Sequence, residues 1–376
     1  MTTTTFPVAV PYTAFGQQVR ALKTELLAAA ETVLESGQYI LGQEVAAFEQ
    51  EFARYCQTDY AVGVANGTEA LMLVLQRLGL RDGDEVITAP NSFIASASSI
   101  ALSGARPVFA DIGPDLNLDP ARVEEAITPR TRAIMPVHLT GRSARMPELL
   151  EIAKRHELFV LEDAAQSVGA ALHAQRVGSM GHAAAFSLHP LKNLHAFGDG
   201  GMITTNDPAL RDWLVRARNH GLRNRDECEF WSLNSRLDEL QAAMLRIQLR
   251  ALDRWTEERR QLAFRYHTLL NAHVEVPTEQ PGECCVYQTY MVQADERDAL
   301  KRALNEQGIE ARVHYPIPLH LQPVARSLGY TADDFPVAMR AASRILSLPL
   351  YPGLTEAQQD RVAEVMEAFY RTRART

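Results

Sequence analysis

The sequence is poor in cysteine and lacks a basic block, a long apolar run and an internal repeat. Its four cysteines, Cys56, Cys228, Cys284 and Cys285, form no C-x-x-C pair and no spacing suited to zinc. That argues against a disulfide framework and against a structural metal, and it fits a reducing compartment, the cytoplasm. With 38 Lys and Arg against 46 Asp and Glu the net charge is −8, and a mildly acidic chain without clustered cations is a poor nucleic-acid surface. No stretch reaches the roughly 20 apolar residues that span a bilayer, so no membrane segment is expected. Met1 to Phe6 carries a threonine run and no basic n-region ahead of an apolar stretch, so it does not read as a signal peptide.

What is present is an ordinary globular balance: 376 residues, 46% hydrophobic and 22% charged, enough for two domains with a sizeable core. Val19, Leu22, Leu26, Ala30 and Val33 repeat at helical steps and predict a first helix that Gly37 ends. A second amphipathic helix is expected from Glu44 to Tyr55. Short apolar runs then alternate with helical patterns. The expected strands are Tyr60 to Val64, Glu85 to Ala89, Pro107 to Ile112, Ala133 to His138, Phe159 to Leu161, Ala183 to Leu188 and Met202 to Thr205. Such alternation predicts an α/β fold, a mostly parallel sheet of seven strands covered by helices on both faces. A long helix, Asn234 to Gln248, continues through an expected kink past Leu252, Trp255 and Leu262. Beyond it come a strand-like run, Val286 to Gln293, a helix from Glu296 to Gln307, a proline-rich loop from Pro316 to Pro323, and a terminal helix holding Val362, Met366 and Phe369. The expected organisation is a large domain over residues 1–250 and a smaller C-terminal α/β domain over 251–376.

Ligands of such sheets gather at the carboxyl ends of the strands, and four features fall there. Asn66-Gly67-Thr68 is a glycine turn opening a helix, whose free N–H groups and dipole suit a phosphate; a plain helix cap would read the same. Asp163 follows the apolar run Leu158 to Leu161, where a carboxylate needs a cationic partner to offset desolvation. A pyridinium nitrogen would serve, since an anionic Asp keeps it protonated and makes the ring an electron sink. Gln166 follows one helical turn later, within reach of a ring hydroxyl. Phe93 stands just beyond a strand end and could stack on a planar ring. The fourth feature is Phe186 to Leu194, with Ser187 as a second phosphate hydroxyl and Lys192 as an amine able to form a Schiff base with an aldehyde. Each alone has a bland reading as a cap, a core side chain or a surface charge; their order along the chain is what carries weight.

On these residues the chain resembles the sugar aminotransferases of the DegT/DnrJ/EryC1/StrS family, within the fold-type I pyridoxal phosphate enzymes. The motifs are SGQYILG (36–42), NGTEAL (66–71), GDEVITAP (83–90), EDAAQSVGA (162–170), FSLHPLKNL (186–194) with GDGG, NSRLDELQAA (234–243) and HYPIPLHLQP (314–323). The resemblance implies pyridoxal 5′-phosphate as cofactor and Lys192 as its Schiff-base lysine. It implies Asp163 at the pyridine nitrogen, Gln166 near the ring hydroxyl, Phe93 stacked on the ring, and Gly67, Thr68 and Ser187 around the phosphate. It implies that Asn234 reaches the neighbouring subunit's phosphate, hence a homodimer with shared active sites, and that Tyr315, His320 and Arg236 face the substrate. Arg223, Arg225 and Arg312 are further candidates for a diphosphate.

The implied activity moves an amino group from L-glutamate to a nucleotide-linked 3-keto or 4-keto hexose in amino-sugar biosynthesis. A cyclitol (inosose) aminotransferase and a non-catalytic cofactor-binding regulator are the alternatives. Family members with histidine in place of the lysine are dehydratases; Lys192 favours transamination here. Leu191, where many relatives have a small residue, and Tyr287-Gln288, where many carry a histidine second, leave the substrate open.

Overall fold

The computed structural model describes residues 9–373; the stretch Met1 to Phe6 lies outside them. The large sheet contains β1 (Tyr60–Val64), β2 (Glu85–Thr88), β3 (Arg106–Phe109), β4 (Thr131–Met135), β5 (Phe159–Asp163), β6 (Ala183–Ser187) and β7 (Gly201–Thr205). Their spatial order is β1-β7-β6-β5-β4-β2-β3. Neighbours from β6 to β3 pair in parallel, and β7 runs antiparallel to both β1 and β6. The sheet is therefore mostly parallel, as the alternation predicts. Strands covered on both faces have no solvent side, which is why Ala183-Ala184-Ala185-Phe186 is buried without a break.

The helices around the sheet include α1 (Lys23–Ser36), α2 (Gln43–Cys56), α3 (Gly67–Arg77), α4 (Ile94–Leu102) and α5 (Glu239–Leu270). On one face Leu73 and Val74 of α3 pack with Val62 and Ile203. On the other, Phe48 and Phe52 of α2 meet Phe186, the last pair edge-on at 5.1 Å, a geometry that aromatic quadrupoles favour. Glu239, at the start of α5, accepts the N–H groups of Gly42 (2.7 Å), Glu44 (2.9 Å) and Val45 (3.0 Å) and so caps α2 from another helix.

The helix expected from Val19 begins at Lys23. Residues 15–22 form two short turns instead, because the chain arrives from the C-terminal core, where the Ala9 and Val10 N–H groups bind Gly308 O. Gly37, at φ 65°, ends α1 as expected. The helix expected from Asn234 starts at Glu239, because Asn234 and Asp238 are held in bridges to Asn219 and Ile40. From there α5 runs 32 residues without interruption. The expected kink is absent, since neither Pro nor Gly interrupts that stretch.

Beyond α5, β8 (Tyr290–Gln293) and β9 (Ile345–Leu348) pair antiparallel, flanked by α6 (Arg297–Glu306) and α7 (Glu356–Arg373). The strand expected from Val286 starts only at Tyr290, because the Val286 and Thr289 N–H groups bind Gly141 O and Thr140 O on the large sheet's side. Tyr266, Tyr290, Leu300, Leu346 and Met366 fill a second core, which also takes in Val10. Helix α5 serves both cores, with Leu245 and Leu252 in the first and Ala263 and Leu270 in the second.

Candidate active site

A cavity of about 340 Å³ opens at the carboxyl ends of β1, β5 and β6. One wall carries Asn66, Gly67, Thr68, Phe93, Asp163, Gln166, Ser187 and Lys192, and the other carries Tyr12, Arg259, Gln288, Thr289, His314 and Tyr315. Eight of the expected cofactor and substrate residues thus meet here, Gly67, Thr68, Phe93, Asp163, Gln166, Ser187 and Lys192 on the sheet wall and Tyr315 on the other.

Asp163 closes β5 and is 4% exposed. Its Oδ2 accepts the Ser96 hydroxyl at 2.7 Å, and Ser96 in turn shares a 2.7 Å hydrogen bond with Ser92. Its Oδ1 accepts the Ala165 N–H at 3.3 Å. Burial nevertheless holds the Asp163 pKa above the ordinary carboxylate value, with these bonds and Lys192 pulling the other way. A cation placed on this carboxylate would reverse that shift. Lys192 sits in the loop between β6 and β7, where burial lowers its amine to about 8, partly countered by the Asp163 charge. A fraction of the amine is therefore neutral, and nucleophilic, near physiological pH.

The phosphate turn is shaped by close approach. The Asn66 side chain accepts the Glu69 N–H at 2.8 Å, and its carbonyl accepts the Ala70 N–H at 3.0 Å. Gly67 and Thr68, the first residues of α3, have no carbonyl a turn earlier to bind, and their N–H groups are left for a ligand. A Cβ on Gly67 would lie 2.7 Å from the Ser187 Cβ, and one on Gly201 2.5 Å from the Asn66 carbonyl carbon. Only glycine lets the ends of β1, β6 and β7 close into this cradle.

Gln166 is fixed by its carbonyl oxygen, which accepts the Thr140 N–H at 2.8 Å, so its amide N–H₂ is the donating end, and it faces the Tyr315 hydroxyl. Phe93 caps α4 with its ring 52% exposed and 5.7 Å from the Tyr315 ring. Such an aromatic is left open for a planar guest to cover.

Three expected residues do not line this cavity. His320 is 2% exposed, packed 4.6 Å from the Phe335 ring and 6.4 Å from Phe109. The Leu319 N–H bonds Pro90 O at 2.7 Å, and that tether turns the next side chain into the apolar core, correcting the expectation that it faces substrate. Asn234 is exposed and bridged to Asn219; Arg236 donates to the Asn219 side chain at 3.0 Å. Among the diphosphate candidates, Arg312 lies 4.9 Å under the Tyr12 ring, and Arg223 stands exposed beside Glu229.

The sequence reading missed most of the second wall. Gln288, singled out only as a departure from the family pattern, accepts the Asn193 N–H at 2.6 Å and donates to Leu191 O at 2.7 Å. It grips the backbone on both sides of Lys192. Tyr12, Arg259 and His314 come from the N-terminal arm, the middle of α5 and the start of the proline-rich loop, and only a motif around His314 hinted at any of them.

The polar groups of the first wall converge on one kind of guest, a pyridinium aldehyde bearing a phosphate, and with this sheet they define a pyridoxal phosphate-dependent transferase. The family model of the DegT/DnrJ/EryC1/StrS aminotransferase family matches residues 20–367, and the chain belongs to that family. It is 46% identical over 367 residues to a "pleiotropic regulatory protein" of Geobacillus stearothermophilus, covering 96% of this chain and 99% of that one. It is 43% identical over 363 residues to dTDP-3-amino-3,4,6-trideoxy-alpha-D-glucose transaminase of Streptomyces venezuelae, covering 96% of each. The solved structure of S. venezuelae DesV in complex with a ketimine intermediate superposes with a TM-score of 0.94 at 43% identity, over 97% of this chain and 99% of that one. The expected family, fold, cofactor and enzyme class all stand.

Proposed function

We propose that this chain transfers an amino group from L-glutamate to a nucleotide-linked keto hexose, at the 3-keto position in preference to the 4-keto one. The observation that carries the reading is that Lys192, Asp163 and the Asn66-Gly67-Thr68 turn line one cavity; the 3-amino product in the name of the S. venezuelae relative supports the sugar. When bound, pyridoxal phosphate supplies an electron sink for the carbanion next to the migrating nitrogen. The chain's residues do the rest. Gly67, Thr68 and Ser187 would hold the phosphate, Asp163 would accept from the ring nitrogen, Gln166 would donate to the ring hydroxyl, and Phe93 would cover one face of the ring. Lys192 would take the proton from the donor carbon in the first half of the cycle and deliver one to the sugar carbon in the second.

A homodimer belongs to this reading. Asn234 is exposed beside Leu233 and Trp231, the last 91% exposed, and a second copy seated there would receive Asn234 near its phosphate cradle, with Arg236 on its substrate side. The four cysteines are free, which suits a reducing cytoplasm, and no helix among the described residues is long and apolar enough to cross a membrane. A purely regulatory, cofactor-binding role is the second reading, favoured by the name of the G. stearothermophilus relative. The test is spectroscopic. Glutamate should bleach the yellow cofactor absorbance of purified protein, and a nucleotide-linked 3-keto hexose should restore it with release of an amino sugar. Colour that persists in excess glutamate would favour the regulatory role.

A further inference from the structure

Among the described residues three arginines are buried: Arg218, Arg259 and Arg297. Arg218 pairs with Glu49 and Arg297 with Asp298. Arg259 pairs with no carboxylate, although the next residue on α5, Arg260, has Glu279. Arg259 is instead held by its Nη1, which donates to Leu350 O at 3.0 Å and Tyr287 O at 3.2 Å. Its Nε is buried with no acceptor, and the side chain lines the cavity. Burial lowers its pKa to about 10, which leaves it charged at neutral pH. Tyr12 and Glu258 offset part of that lowering, but no carboxylate pairs with the guanidinium, and a desolvated cation lacking a paired counterion costs stability that a bound anion would restore.

The surroundings favour an anion. The Tyr12 hydroxyl is engaged by Thr289 and Ser347. His314 Nδ1 lies 2.9 Å from the Ser347 hydroxyl, and burial, Arg312 and Lys192 lower its pKa to about 4. No acid comes from this wall; the cavity's carboxylates, Asp163 and Asp199, belong to the strand-end segments. Arg259 and Lys192 line the same cavity.

We propose that Arg259 is the carboxylate site for the amino donor and for the keto acid it becomes. Nη1 stays on the backbone while the Nε–Nη2 edge, whose N–H bonds run parallel, receives the carboxylate. The inference rests on the aminotransferase reading, which also brings a second anion, the sugar diphosphate; the two half-reactions separate them.

The test compares wild type with Arg259→Gln and Arg259→Lys as holoenzymes. Glutarate, a dicarboxylate that cannot react, is titrated by calorimetry, and the glutamate and keto-sugar half-reactions are followed separately by cofactor absorbance. We expect Arg259→Gln to weaken glutarate and glutamate by about 100-fold, Arg259→Lys to recover part of that, and the keto-sugar half-reaction of the amine-form enzyme to stay within about threefold. Equal losses in both half-reactions, or unchanged glutarate affinity beside a lowered Tm, would assign Arg259 to backbone tethering alone and overturn the proposal. If wild type binds glutarate through Arg259 yet glutamate leaves the colour unchanged, the aminotransferase reading fails and the carboxylate site stands. Should both variants fail to fold, a crystal of wild type with glutarate decides: its carboxylate on the free edge of Arg259 supports the proposal, and any other position refutes it.

Discussion

The two walls of the cavity are built on opposite principles. The sheet wall is made of strand ends and helix starts, carries Asp163, and is fixed by backbone geometry: the glycine contacts at Gly67 and Gly201 tolerate no added atom. The other wall is assembled from the N-terminal arm, the middle of α5, residues 288–290 and the proline-rich loop, carries Arg259, and is held by side chains reaching backbone carbonyls. A wall made of backbone can hold one cofactor with little room for drift. A wall made of side chains can be re-cut for a new substrate without disturbing the sheet.

The comparison can be broken from the sheet side first. Lys192→Ala should lower kcat by about 10⁴-fold or more, because the same amine attaches the cofactor and moves the proton; steady-state turnover checks it, and retained activity would sink the assignment. Asp163→Asn should cost about 10³-fold in kcat through the lost electron sink while cofactor affinity changes much less, which equilibrium dialysis can measure. If affinity and rate fall together, Asp163 is a structural cap. The same variant has a pH signature. Attachment of the cofactor to apo-protein needs the neutral amine, so its rate should rise with pH around a midpoint of about 8. Since Asp163 raises the Lys192 pKa, its neutralisation should move the midpoint downward; stopped-flow absorbance reads it, and an upward move would contradict the coupling.

Smaller effects sharpen the contrast from the other wall. Gln288→Ala removes both grips on the Lys192 loop and should lower kcat by about 10- to 100-fold through misplacement of the amine, with the cofactor still bound; unchanged kcat would make the clamp incidental. Phe93→Leu should weaken the cofactor by only about 2- to 10-fold, the worth of one aromatic contact, measurable by titrating apo-protein.

The sheet wall was legible because its residues stand within two positions of apolar runs: Asp163 after Leu158 to Leu161, Ser187 after Ala183 to Phe186, Asn66 after Tyr60 to Val64. A short unbroken apolar run ending in a polar residue announces a buried strand end, and a strand end in a parallel sheet announces a ligand. Arg259 carries no such mark. It stands in the run Glu257-Glu258-Arg259-Arg260 on a long helix, where any guanidinium reads as a solvated face, and only the fold brings the Tyr287 and Leu350 carbonyls to it. His320 failed in the reverse sense: the motif put it beside Tyr315, and a single backbone bond from Leu319 turned it inward. Helix ends were misread where bridges from distant segments, Ile40 and Asn219, overrode a helical pattern.

The antiparallel strand β7 has a consequence for the order in which the molecule comes into being. β1 carries the phosphate turn, yet its neighbour in the sheet is β7, with Val64 opposite Gly201. On the ribosome the first strand therefore waits, unpaired, while β2 to β6 are made, and contacts so distant in sequence are slow to close. The Lys192 loop, by contrast, is pinched shut by the adjacent strands β6 and β7, with Ser187 opposite Gly201. The reactive amine is thus framed by a late and local event, and the phosphate cradle is completed by that same strand. A nascent chain halted before Gly201 should capture no cofactor, and loading becomes a signal that the whole sheet has closed.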